Sequence, residues 1–193
     1  MGKFKEKFLR IFGDIKLLPF PPFMYYQPGD YYKATGAEAR QAMQLLRPGD
    51  LLLRGYDSYL DGLFIPGKYS HTGIYTGNGK VTHAVAEGVC QIDTIDFLRC
   101  DRFAVIRPKR GQKEAIRRVL EWIGYPYDYD FSSGNAAFYC HELAAEAYRE
   151  LDVHKVTPYL GWIRFCRMKP TYLAESFTTN ANFKIIFTGG TTK

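Results

Sequence analysis

The stretch Tyr69-Ser70-His71-Thr72-Gly73-Ile74-Tyr75, continued by Gly77-Asn78-Gly79 and Lys80-Val81-Thr82-His83, decides how this chain is read. Alternating apolar and polar residues on both sides of a Gly/Asn-rich connection predict two strands joined by a tight turn. Each strand carries one histidine. If the turn has two or four residues, His71 and His83 point to opposite faces of the sheet. A three-residue turn with a bulge, Gly77-Asn78-Gly79, or an equivalent irregularity puts them on one face as diagonal neighbours, with backbones ~7–8 Å apart. A shared function for the two rings requires the second arrangement.

Farther along, Phe138-Tyr139-Cys140-His141-Glu142-Leu143 opens a helical pattern with a cysteine in its first turn. A thiolate is the reactive form of cysteine, and a free thiol near pKa ~8.5 is mostly protonated at neutral pH. A helix N-terminus and a neighbouring imidazolium each favour ionisation, and the same N–H groups can hold an oxyanion. Cys140 with His71 and His83 therefore has the composition of a nucleophile, a base and a group that orients the base. Taken singly, Cys140 reads as a buried structural thiol and His71 as an ordinary strand histidine. Their ordered coincidence reverses that reading. The same three residues as zinc ligands are a minor reading, because no fourth ligand stands at motif spacing; no metal or other cofactor is expected.

The rest of the chain supplies a mixed frame. Residues Met1 to Leu18 carry Phe4, Phe8, Ile11, Phe12, Ile15 and Leu18 at helical spacing among lysines and arginines, which predicts an amphipathic helix. It packs on the domain or lies on a membrane face. Arg10, Asp14 and Lys16 interrupt it too often for a signal peptide or a membrane span, so a cytoplasmic protein, peripheral at a membrane in the second case, is expected. Pro19, Pro21, Pro22 and Pro28 make Leu18 to Tyr32 an extended arm or linker. Helices are expected over Gly36 to Leu46, Lys113 to Ile123, Cys140 to Leu151 and Pro170 to Glu175. Strands are expected over Asp50 to Arg54, Gly88 to Ile92, Asp101 to Pro108 and Phe183 to Phe187. The chain divides into a helix and arm (1–32), a catalytic domain (33–188) and a short tail (189–193).

Composition adds constraints. The 193 residues include 15 Tyr and 14 Phe, an aromatic excess suited to a ring-lined cleft or core, and carry a net charge of +6. That charge favours anionic partners such as a lipid surface, but no block of basic residues and no interleaved basic–aromatic motif points to nucleic acid. Cys90, Cys100, Cys140 and Cys166 contain no CxxC pair and are too few for a disulfide scaffold, so reduced thiols are expected.

Four segments follow one another in a recognisable order: Gly49-Asp50-Leu51-Leu52-Leu53, Ser70-His71-Thr72-Gly73-Ile74-Tyr75, Val81-Thr82-His83-Ala84 and Tyr139-Cys140-His141-Glu142-Leu143. The set resembles the circularly permuted, NlpC-type branch of the papain-like superfamily. It is most similar to the bacterial YiiX-like group, a relative of lecithin retinol acyltransferase. In that set the histidine strand precedes the cysteine helix, and a second polar residue follows the first histidine by twelve positions. The resemblance spans roughly Arg47 to Leu151.

The resemblance implies an α+β, permuted papain-like fold whose central antiparallel sheet packs against the cysteine helix. It also implies a cysteine-dependent amidase or acyl hydrolase of Cys-His-His type, with Cys140 as nucleophile, His71 as base and His83 orienting it. The chemistry would be attack on an amide or ester, then hydrolysis or acyl transfer through a thioester. The acyl group would be lipid-like or a short peptide. A cell-wall-peptide endopeptidase and a non-catalytic ligand-binding protein on the same fold are the alternatives. His141 departs from the small polar residue commoner after the cysteine; it and His154 read as surface or packing residues. Tyr56, Ser70, Tyr127 and Tyr139 are the candidates for substrate or oxyanion contacts.

Overall fold

The structure, a computed structural model, describes residues 15–17, 21, 24–26, 32–57, 67–131, 134, 136–157, 159–160, 163–167 and 169–190. It is an α+β protein built on one six-stranded sheet. Strands β1 (Ile15–Leu17) and β2 (Met24–Tyr26) form a small antiparallel pair. Helix α1 (Gly36–Leu45) leads into β3 (Leu51–Gly55), β4 (His71–Gly77), β5 (Lys80–Val85) and β6 (Gly88–Asp93). The short helix α2 (Thr94–Phe97), β7 (Arg102–Pro108) and helix α3 (Gln112–Glu121) follow. Helix α4 (Cys140–Ala147) continues into a 3-10 turn (Arg149–Leu151). The chain then forms β8 (Tyr159–Leu160), β9 (Ile163–Arg167), helix α5 (Glu175–Thr178) and β10 (Phe183–Gly190). The main sheet has the order β10-β7-β3-β4-β5-β6 and is antiparallel throughout.

Strand β3 shows why this sheet sits in the middle. Leu51, Leu52 and Leu53 have no exposed surface, and successive side chains of a strand point to opposite faces. Leu51 and Leu53 join one core with Ile74, Ala84, Ala104 and Ile106, closed by Leu143, Ala144 and Ala147 of α4. Leu52 joins the other with Val81, Phe97, Phe103 and Val105, closed by Ala39 and Ala42 of α1. An unbroken apolar run is thus a strand with helices on both sides. Each fully buried leucine contributes about 1.5–3 kcal/mol.

Local signals set the ends of several elements. Thr35 accepts from the Glu38 N–H while Glu38 Oε2 takes the Thr35 N–H, a reciprocal cap that starts α1. Asp50, buried at the start of β3, binds Arg107 of β7 through both oxygens at 2.7 and 2.8 Å and accepts the Arg47 N–H at 2.8 Å. Replacing Asp50 with Ala leaves that guanidinium without its carboxylate. A loss of about 3–5 kcal/mol is expected in urea unfolding; a loss under about 1 kcal/mol would mean the pair does not hold β3 to β7.

Three expectations need correction. Residues 15–17 are a strand, where a helix through Leu18 was expected; pairing with 24–26 overrides the helical spacing, and the remainder of the expected helix lies outside the described residues. The arm after it carries the partner strand. The helix expected over Pro170 to Glu175 instead begins at Glu175, because Thr171 is bridged to Val156 and stays extended.

Candidate active site

The hairpin meets the condition set by its two histidines, by a route one residue shorter than the three-residue turn. Tyr75 pairs with Val81 and Gly77 with Lys80, so the register slips by one at a bulge and only Asn78 and Gly79 form the turn. Both have positive φ (51° and 71°), the pairing that a two-residue hairpin turn with matching twist needs, and Gly77 at the bulge is positive too. Below the bulge Gly73 pairs with His83, which places His71 diagonally across from it on the same face. The rings meet: His71 Nε2 lies 2.9 Å from His83 Nδ1, with centroids 5.1 Å apart.

Two neighbours shape this pair. Phe97 at the end of α2 lies 5.6 Å from the His71 ring and 5.8 Å from that of His83. It fits because position 73 has no side chain: a Cβ there would stand 2.7 Å from the Phe97 ring and 2.5 Å from Val81 Cγ1. Arg54, the cross-strand partner of His71, lays its guanidinium over Phe97 at 4.6 Å.

Cys140 approaches from the other face. It is the first residue of α4, whose N-cap Tyr139 is extended and supplies no side-chain cap, so N–H groups of the first turn remain unfilled by a cap. The sulfur is buried against the start of β4. It lies 3.9 Å from the Ser70 carbonyl and 3.3 Å from Nδ1 of His141, with the Thr72 N–H also beside it. The chain on both sides of His71 therefore cradles the thiol, while the His71 ring turns to His83. Among the described residues the sulfur's side-chain partner is His141, and neither ring of the His71–His83 pair bonds it.

Burial dominates the electrostatics. It pushes the Cys140 thiol up to about 11, against the opposing pull of the Thr72 and His141 N–H groups and the Arg54 charge. It holds His83 down to about 3, helped by Arg54, and His141 to about 3. His71 is held well below its ordinary range by burial, then by Arg54, His83 and His141. The resting site is a neutral thiol among neutral imidazoles.

Such histidines stabilise the fold above their unfolded pKa of about 6.5, and that contribution is lost as pH falls, since only the unfolded chain takes the protons. Each costs up to about 1.4 kcal/mol per pH unit. Unfolding midpoints in urea should thus drop between pH 6.5 and 5, above the range where carboxylates titrate. A flat midpoint across that window would show that the rings are hydrated in solution.

His141 was read as a surface or packing residue; it is buried, its Nδ1 faces the sulfur, and its Nε2 has no hydrogen-bond partner. Its place beside Cys140 in the sequence was the one available signal. His154 is exposed beside Asp152. Tyr127 comes close to Cys140 because its loop bridges Phe138; burial, then the neighbouring thiol, raises its phenol far above the ordinary value. The Tyr139 hydroxyl accepts from Thr171 Oγ1 and the Tyr172 N–H, both at 2.8 Å, which anchors the start of α4. The Tyr56 hydroxyl donates to the Arg99 carbonyl at 3.3 Å, on the Arg54 side of the sheet. Ser70 contributes its carbonyl to the thiol and its N–H to Arg54 O at 3.0 Å. Cys90 and Cys100 are free thiols, and burial raises the latter to about 12; the Cys166 side chain lies outside the described residues.

Comparison with known proteins identifies the family and the fold. The profile of the permuted papain-like amidase family, YaeF/YiiX, C92, matches residues 45–185. The fold is shared with the crystal structure of the metalloprotein YiiX from Escherichia coli O157:H7, with TM-score 0.59 and 17% identity, covering 75% of this chain and 98% of that one. No curated protein matches the chain.

Proposed function

Because the chain belongs to the permuted papain-like amidase family, we propose that it cleaves an amide or ester through a thioester on Cys140, with His71 as base and His83 orienting it. The observation that carries this reading is the 2.9 Å contact of His83 with His71, the latter at the start of the strand whose main chain cradles the sulfur. His71 acts with Nδ1 open to the thiol and Nε2–H donated to His83 Nδ1; the second ring fixes the tautomer. The reading requires the sulfur to turn from His141 towards His71.

The steps balance. His71 takes the thiol proton as sulfur bonds to the carbonyl carbon. N–H groups at the start of α4 hold the oxyanion. Collapse expels the amine or alcohol, which leaves with the proton from His71. Water, deprotonated by the same imidazole, releases the acid and restores the thiol; an acceptor alcohol or amine in place of water gives acyl transfer. The aromatic loop around Tyr127 favours a lipid-like acyl group over a cell-wall stem peptide.

One observation favours the alternative of a ligand-binding protein: the thiol is buried and turned to His141. YiiX is described as a metalloprotein. Among the described residues of this chain no three His, Cys, Asp or Glu side chains are grouped to hold a metal ion, so no step is routed through one.

Incubation with an activated acyl ester and intact-mass analysis separates the two readings. One acyl increment, mapped to Cys140 and absent in Cys140→Ala, is expected for the enzyme. Equal labelling of both proteins removes the catalytic reading.

A further inference from the structure

Among the described residues, Arg54 is a cation without a counter-ion at the proposed site. It is partly buried; its Nε is buried with no hydrogen-bond partner, and its Nη1 reaches the Phe97 carbonyl only at 3.5 Å. Among the described residues it makes no ion pair. Nearby carboxylates are committed elsewhere: Asp57 to Lys33 and Arg102, Asp96 to Arg99, and Asp101 to the N–H groups of Lys33 and Asp57. Aromatic faces hold the guanidinium in place, Phe97 at 4.6 Å and Tyr56 at 5.7 Å. They fix its direction but neutralise nothing.

A desolvated, unpaired charge is costly, and proteins normally pair it or use it. Arg54 is also the direct cross-strand neighbour of His71 and shares its face. Its field reaches Cys140, where it eases ionisation, and His71 and His83, where it opposes protonation. A planar fork of donors held by two rings suits a carboxylate or a phosphate, which it can meet with two parallel bonds.

We propose that Arg54 is the specificity residue of this site and binds an anionic group, carboxylate or phosphate, carried by the substrate near its scissile carbonyl. The inference rests on the reading of Cys140 and His71 as the reacting groups. It narrows the substrate to an acyl compound bearing a negative charge, and it accounts for a guanidinium where packing alone would be served by a neutral side chain.

Binding tests it without turnover. Calorimetric titrations of the full chain carrying Cys140→Ala would use N-octanoylglycine, its neutral amide and octyl phosphate. Both anions are expected to bind about ten- to a hundredfold tighter than the amide if either group is accepted. Preference for one identifies a peptide-like carboxylate or a lipid-like phosphate as the source. Adding Arg54→Gln should bring the anions to the level of the amide and leave the amide unchanged; Arg54→Lys should retain part of the preference. Equal binding of all three probes, no binding by any, or an equal loss for charged and neutral probes in Arg54→Gln would overturn the proposal. Thioester trapping on the Cys140 protein is read separately, so its result stands whichever way these titrations fall.

Discussion

Cys140→Ala is expected to lower kcat/KM for an activated acyl ester by at least about 10⁴-fold, to the level left by binding and the oxyanion donors alone. On the proposed mechanism the sulfur is the atom that bonds to the carbonyl carbon, so nothing else in the cradle replaces it. His141 lies 3.3 Å away but has no route to a stable acyl adduct while its Nε2 is buried. The fold should survive, because Ala keeps the helix start and removes one small side chain; a loss of about 1 kcal/mol is in the ordinary range for such a change. Comparable urea midpoints with a collapsed rate would therefore isolate the chemistry. A variant that retains more than about a tenth of the rate would show that another group does the work.

His71→Ala should cost about 10²–10⁴-fold at neutral pH, the usual contribution of a positioned base. Its pH dependence is the more discriminating result. On the proposed mechanism the wild-type thiol gives its proton to His71 only during attack. Because burial and Arg54 keep that imidazole neutral well below its ordinary range, the rate should stay level through pH 6–8. Without the imidazole, attack waits on spontaneous ionisation of a thiol pushed up to about 11. The residual rate of His71→Ala should then climb about tenfold per pH unit towards that value. A level profile in the variant would mean that His71 does not take the proton, and His141 would become the candidate.

Much of this fold is legible because its signals are local. The alternation in Ser70 to Tyr75, the glycines around Asn78, the apolar run of Leu51 to Leu53 and the cap at Thr35 each act within a few residues of themselves. The same holds for Cys140 at a helix start. Where a local pattern competed with pairing at a distance, pairing won. Residues 15–17 have helical spacing and form a strand with 24–26; Thr171 is held extended by Val156, and the helix starts later. Helix α2 was not expected at all, being one turn long, yet it supplies the Phe97 ring under both histidines.

The amino-acid sequence by itself singled out Cys140, His71 and His83 as the candidate groups and fixed their order along the chain. It set the condition under which His71 and His83 share a face, and the bulge between Tyr75 and Gly77 meets it. Only the tertiary structure decided what surrounds them. Cys140 comes from the opposite face of the sheet and rests on the main chain of β4; His141 shares its cradle; Arg54 stands beside the pair with no carboxylate partner among the described residues. Each of these depends on which helix covers which face and on what is buried between them. Charge, proton affinity and reach follow from that burial, and no stretch of residues read alone contains it.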